Sequence, residues 1–349
     1  MGIVAAQAPT WSETVLFDFA NYSSKGANPG AGVVRDSAGN LYGTTISGGS
    51  ASEGAGVVFK VDTSGQERVL YTFTGGPDGG SPYAGVIRDS SGNFYGTTAY
   101  GGTAGPYGPA GVVYKLDTAG HQTVLYSFTG GADGSNPFAG VIRDSSGNLY
   151  GTAQQGGGTS GAGVVFELDT AGQETVLYSF TGGADGGYPT AGLIRDSAGN
   201  LYGTTLGGGT AGAGVVFKLD RAGQETVLYS FTGGADGGSP TAGVIRDSAG
   251  NLYGTTQDGG ITTGVCSTYY YWSPGCGVVF KLDGTGNETV LYAFTGLADG
   301  AFPYAGVIRD GAGYLFGTAY GGGITTGTCG TGGCGVVYKL NLTTCQAFS

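Results

Sequence analysis

The sequence predicts an all-β protein: a six-bladed β-propeller with four-stranded antiparallel blades, the last blade closed by the N-terminal strand. Three observations carry this. The motif AG-[VL]-[VI]-R-D recurs six times, with arginines at 35, 88, 143, 195, 246 and 309 and spacings of 53, 55, 52, 51 and 63 residues. A fixed period near fifty marks a repeat architecture. Gly, Asn or Pro breaks every copy into short apolar runs, and no window places apolar residues at helical spacing. Finally, the copies are out of phase with the chain ends, as a ring closed by its own N-terminus would be.

One copy, residues 191–231, shows the elements in order. AGLIRD supplies a first strand, and the SAGN turn leads to the second, LYGTT. A glycine-rich loop precedes the third, GVVFKLD, and RAGQ turns into the fourth, ETVLYSF. Both turns have hairpin length and composition. Four short strands in a meander, repeated radially, build a propeller. ETVLFDF (13–19) is a fourth strand with no blade ahead of it, and nothing like a fourth strand follows GVVYKLN (335–341). Joining the two ends would remove two exposed sheet edges.

The expected organisation is therefore one domain over residues 13–341. Its blades are 31–73, 84–128, 139–180, 191–231, 242–294 and 305–341 plus 13–19. Residues 1–12 read as a signal-peptide remnant or a disordered N-terminus, and 342–349 as a C-terminal tail.

The 77 glycines among 349 residues follow no triplet period, so turns and close backbone approach account for them. Formal net charge is −11 with no basic cluster, which argues against nucleic acid and anionic membrane surfaces as partners. No apolar stretch is long enough for a spanning helix. A monomer that binds a glycan or cell-surface ligand is the expected state.

Cysteine points outward. Copies five and six share a phrase, GITTGVC…CGVVFKL and GITTGTC…CGVVYKL, which predicts disulfides Cys266–Cys276 and Cys329–Cys334. Zinc held by these four thiols is the alternative, and Cys345 is left over.

The pattern AGVIRDSAGNLYGTT…GGG…GVVFKLD…ETVLYSFTGG resembles the GloVer tandem repeat of bacterial surface or secreted proteins, and its SAGNLY core is similar to NHL-type blades. The resemblance spans Glu13 to about Asn341. It implies a secreted or surface-displayed protein and assigns no chemistry.

Chemistry should sit where the copies differ. The loops between second and third strands range from eight residues (206–213) through twelve (99–110) and fifteen (320–334) to twenty (257–276). The longest carries Tyr269, Tyr270, Tyr271 and Trp272 between Cys266 and Cys276, rings suited to a sugar face or a partner hot spot. Packing of these rings on their own loop is the plain alternative. Two further variable rings line the predicted funnel. One follows the recurrent proline and includes Tyr83, Phe138 and Tyr304; the other follows GTT or GTA and includes Gln154, Gln257 and Tyr320. With Tyr100 and Tyr107, these would make one contiguous aromatic side.

The candidates for catalysis are Asp258, Asp299 and Glu53, as a carboxylate pair for a hydrolase acting on polysaccharide or a small ester. The single histidine, His121, lies in a turn, and HExxH, GxSxG and P-loop motifs are absent. A structural spacer is the remaining alternative. The six Arg-Asp pairs read as structural, because catalysis needs a group once. The recurrent TGG-x-DG aspartates (78, 133, 185, 236, 299) read as Asx-turns, with calcium as the alternative; no other cofactor or metal is expected. Lysines in third strands and glutamates in fourth strands should pair across the sheet.

Overall fold

The computed structural model describes residues 14–19, 24–49, 54–267, 274–324 and 332–342. Five blades are four-stranded antiparallel sheets in sequential order, and the sixth has three strands among the described residues. Blade 4 is representative, with strands Ile194–Arg195, Leu201–Thr205, Val215–Leu219 and Glu225–Ser230. The third strand is apolar on both faces because both faces are covered: Val215, Val216 and Phe217 are fully buried and only Lys218 reaches solvent. A bulge between Val216 and Phe217 re-aims the fourth strand. Gly203 lies directly opposite Phe217, whose ring crosses it so closely that a Cβ would come within 2.7 Å of Cζ.

Successive blades dock through one contact set, used five times. The phenylalanine ending one blade meets the central aromatic of the next at 5.1 Å, from Phe73–Tyr114 through Phe294–Tyr338. The arginine of the Arg-Asp motif stacks on the preceding blade's second-strand tyrosine, as Arg195 does on Tyr150 at 5.4 Å. A buried threonine donates to the next blade's alanine carbonyl, as Thr204 does to Ala242 at 2.9 Å. The motif aspartate caps its own turn: Asp196 accepts from the Asn200 amide and side chain and from Tyr202 Oη. The Arg-Asp motif is thus a docking element and a turn cap side by side.

Between blades 6 and 1 the arginine stacking and the threonine bond have no counterpart among the described residues. Val337 is 81% exposed where its counterparts Val58, Val113, Val165, Val216 and Val279 are fully buried. Ile308 and Val33 are exposed too, and a Cβ on Gly32 would meet nothing, whereas one on Gly85, Gly140, Gly192, Gly243 or Gly306 meets the preceding blade's backbone. Segment 14–19 nevertheless occupies the site of a fourth strand ahead of blade 1. Phe19 packs on Phe59 at 4.9 Å, and the Leu16 carbonyl lies beside Gly65 as the Leu70 carbonyl lies beside Gly120. Its pairing with Val336–Asn341 is not seen among the described residues.

The expected lysine–glutamate pairing is corrected. Lys218 faces Thr226, while Glu225 sits opposite Leu219 and so points to the other side of the sheet. Glu167, the exception in the lysine position, accepts from Asn148 and from Tyr150 Oη.

Candidate functional site

Two ends of the sheets differ in character. Short hairpin turns occupy one end; the linkers between blades and the variable loops occupy the other. Six non-glycine residues hold left-handed backbone there: Asn28, Ser81, Asn136, Tyr188, Ser239 and Phe302. Each precedes a proline, and each carbonyl accepts from the residue that follows the second strand, for example Gln154 N to Asn136 O at 3.2 Å. In five of the six the amide also reaches the preceding blade, as Asn136 N does to Ala110 O at 2.8 Å. Such backbone is uncommon outside glycine and is maintained only where its surroundings fix it. It presents the side chains on either side of the proline at the loop-bearing end.

The residues after the prolines adjoin one another in sequence order. Thr190 donates to the Thr241 carbonyl at 3.4 Å, and Thr241 to that of Tyr304 at 3.2 Å. Tyr83 meets Phe138 edge-on at 4.9 Å, and Tyr100 joins them at 6.4 and 6.2 Å. Tyr304 and Tyr320 form a separate pair at 5.4 Å. Of the aromatic residues named from sequence, Tyr83, Tyr100 and Phe138 thus form one group at blades 2 and 3, and Tyr304 and Tyr320 another at blade 6. Gln154 and Gln257 are half-buried beside their second strands.

A cleft of about 620 Å³ opens between blades 2 and 3, lined by Tyr107, Asn136, Gln155, Thr159 and Ser160 over a floor of glycine and alanine. Tyr107 lies across Gly130 and Gly131 yet remains 77% exposed. Asn136 Nδ2 is anchored to the Ala99 carbonyl at 3.1 Å, and Ser160 Oγ to that of Phe180 at 2.8 Å. No lining residue is charged. Gln155, Asn136 and Ser160 were not singled out from sequence. Their signal was the length and composition of the linker and loop flanking blade 3.

The other candidates are placed as follows. Cys266 and Cys276 form a disulfide with Cα atoms 5.2 Å apart, which excludes zinc at these two thiols. Cys334 is also disulfide-bonded. Cys329, Cys345, Glu53, Tyr269, Tyr270, Tyr271 and Trp272 lie outside the described residues. Asp258 is 4% exposed, its backbone paired with Gly238. Asp299 accepts from Thr295 N, Thr295 Oγ1 and Tyr292 Oη, and these bonds hold its carboxyl below the usual range against the opposing effect of burial. Asp78, Asp133, Asp185 and Asp236 take the same three partners, so each stitches its linker to the preceding strand. Among the described residues no three His, Cys, Asp or Glu side chains converge on a point.

Glutamates beginning the fourth strands abut these linkers. Burial, and then the charges of Asp133, Asp185 and Asp236, push Glu174, Glu225 and Glu288 up to about 7. In blade 1 the linker carries Lys25 where the others carry aspartate, and Lys25 pairs with Glu67 at 3.7 Å.

Fold and repeat together define the class, a β-propeller built from tandem blades. The chain belongs to the Gloeobacter/Verrucomicrobia repeat family, whose model matches residues 2–197 and again 158–348. No curated protein matches it in sequence. Among solved structures it is similar to a putative 6-phosphogluconolactonase from Bacteroides uniformis, at 16% identity and a TM-score of 0.51, covering 84% of this chain and 79% of that one. It is also similar to a gluconolactonase from Xanthomonas campestris, at 14% identity and a TM-score of 0.48, covering 90% and 87%. Identities at this level speak to the fold alone.

Proposed function

We propose that this propeller is an exported binding module that recognises a neutral glycan at its loop-bearing end, in the cleft between blades 2 and 3. The observation that carries the reading is the lining itself. An exposed aromatic face, Tyr107, stands beside amides and hydroxyls of Asn136, Gln155, Thr159 and Ser160, with no charged group among them. Rings with a polar tip stack on sugar faces, and a few placed polar groups set orientation. The Tyr83–Tyr100–Phe138 cluster adjoins along the same linker and would extend the surface for a longer chain. The buried disulfide supports an oxidising compartment, and no described helix is long and apolar enough to cross a membrane.

The test is a panel of plant and bacterial polysaccharides, scored together for retention and for released reducing sugar. Retention without release, lost in Tyr107→Ala, is the expected result. Release would make the protein a hydrolase, and silence in both assays would leave the spacer reading.

A further inference from the structure

At the turn-bearing end, away from the glycan cleft, a smaller cavity of about 220 Å³ lies between blades 1 and 2. Its walls include Lys60 and Arg68 from blade 1, Arg88 from blade 2, the rings of Tyr42 and Phe94, and one carboxylate, Asp117, in the blade 2 turn. Lys60 and Arg68 are direct cross-strand partners. Like charges in that relationship repel and destabilise a sheet. The other blades avoid it: the corresponding pairs are Lys115–Thr123, Glu167–Thr175, Lys218–Thr226 and Lys281–Thr289. Among the five blades with a described fourth strand, blade 1 alone places a second cation opposite the third-strand residue, and Arg88 supplies a third from across the seam.

Two carboxylates lie near this group: Asp117 in the cavity wall and Asp62, whose carboxyl is lowered by its bonds to Ser64 and Gln66 and also by the Lys60 charge. Neither forms an ion pair with it. The ion pairs among the described residues are Lys25–Glu67 and His121–Asp117, and neither involves Lys60, Arg68 or Arg88. The carboxylates nearby are spoken for by their own turns. Asp117 accepts from the Ala119 and His121 amides and from the His121 ring; Asp62 from the Ser64 and Gln66 amides; Asp36 from Asn40 and Tyr42. Arg88 is held in place by stacking over Tyr42 and Phe94, at 6.0 and 5.9 Å from the ring centres. A fixed guanidinium with two further cations around an open cavity is the arrangement that recognises carboxylate, sulfate or phosphate. It stands out in a chain whose net charge is −11.

We propose that the Lys60–Arg68–Arg88 cavity is an oxyanion-binding site, which takes a carboxylate, sulfate or phosphate group of a ligand at the end of the propeller opposite the glycan cleft. The bound anion bridges two blades and removes the repulsion between Lys60 and Arg68.

The experiment is thermal unfolding of the whole chain in sulfate, phosphate, glucuronate or neutral glucose, each against chloride at matched ionic strength. The wild type should show a saturable, concentration-dependent rise in melting temperature with at least one oxyanion and none with glucose; the arm that responds most identifies the group. Arg68→Thr installs the residue that blades 2 to 5 carry, so it should fold. It should weaken the apparent affinity at least tenfold while melting no lower than wild type in chloride. An equal response of both proteins would mean general salt stabilisation and would overturn the proposal. A lower melting temperature of Arg68→Thr in chloride would overturn it too, because Arg68 would then already be satisfied by the protein.

Discussion

Gln122 donates from Nε2 to the backbone carbonyl of Asp78 at 3.1 Å, clamping the linker ahead of blade 2 to that blade's outer strand. The next three blades place Glu174, Glu225 and Glu288 at this position, each with a buried Oε1 that has no hydrogen-bond partner. A glutamic acid can donate as glutamine does only when protonated. Burial and the adjacent aspartates favour that form, raising all three to about 7.

A carboxyl whose folded pKa lies above its unfolded value stabilises the fold fully at pH below the unfolded value. That stabilisation is lost as pH rises through the folded one. The melting temperature should therefore fall as pH rises from about 4.5 to about 8 and level off above that. Each group contributes about 1 kcal/mol once solvent screening of half-exposed side chains is allowed for. Three of them correspond to a fall of roughly 3–6 °C. The triple variant Glu174→Gln, Glu225→Gln, Glu288→Gln should flatten the profile across this window. A wild-type profile already flat there would show that the glutamates ionise without consequence.

Cysteine chemistry gives a second test. With Cys266 joined to Cys276 and Cys334 in another disulfide, four of the five cysteines are committed. Unfolding in denaturant without reductant should expose one thiol per chain, and five after reduction. Both Cys266 and Cys276 are fully buried, so mild reductant should leave their bond intact in the native protein. Three free thiols under non-reducing denaturation would contradict the pairing.

The glycan cleft predicts a division among the tyrosines. Tyr107→Ala should reduce affinity for a retained polysaccharide at least tenfold, equivalent to about 1.4 kcal/mol. Tyr320→Ala, at blade 6, should leave binding to a short oligosaccharide unchanged. Titration of both variants with the same oligosaccharide separates this cleft from a site at blade 6; equal losses would place the ligand across both aromatic groups.

Much of the fold could be read before the structure because each copy repeats the same strand and turn signals, from AGLIRD to ETVLYSF. Every strand of blade 4 falls where those signals put it. What escaped was side-chain direction. Lys218 and Glu225 look complementary in sequence, but the register set by the hairpin turn pairs them with Thr226 and Leu219 and sends them to opposite faces. The site was less legible still. Tyr107 is legible as an aromatic in a variable loop, whereas Asn136 and Gln155 are ordinary polar residues until the left-handed turn before Pro137 brings them to one cleft. Arg68 likewise reads as one more charged strand residue until its partner is known to be Lys60.

The seam between blades 6 and 1 offers the sharpest test of architecture. Thr204 is 1% exposed and bonds the next blade's Ala242 carbonyl, while its counterpart Thr318 is exposed beside the open face. Thr204→Val removes a donor and leaves a carbonyl unsatisfied at a packed seam, which costs about 1–3 kcal/mol. Thr318→Val should fall within about 0.5 kcal/mol of wild type, as surface changes do. Denaturant unfolding of the two variants measures the difference. Equal destabilisation would mean that blade 1 docks on blade 6 in solution, with Thr318 donating to the Ala31 carbonyl as Thr204 does to Ala242. Segment 14–19 would then have to pair with Val336–Asn341, because the fourth-strand site it already fills against Phe59 would become part of blade 6.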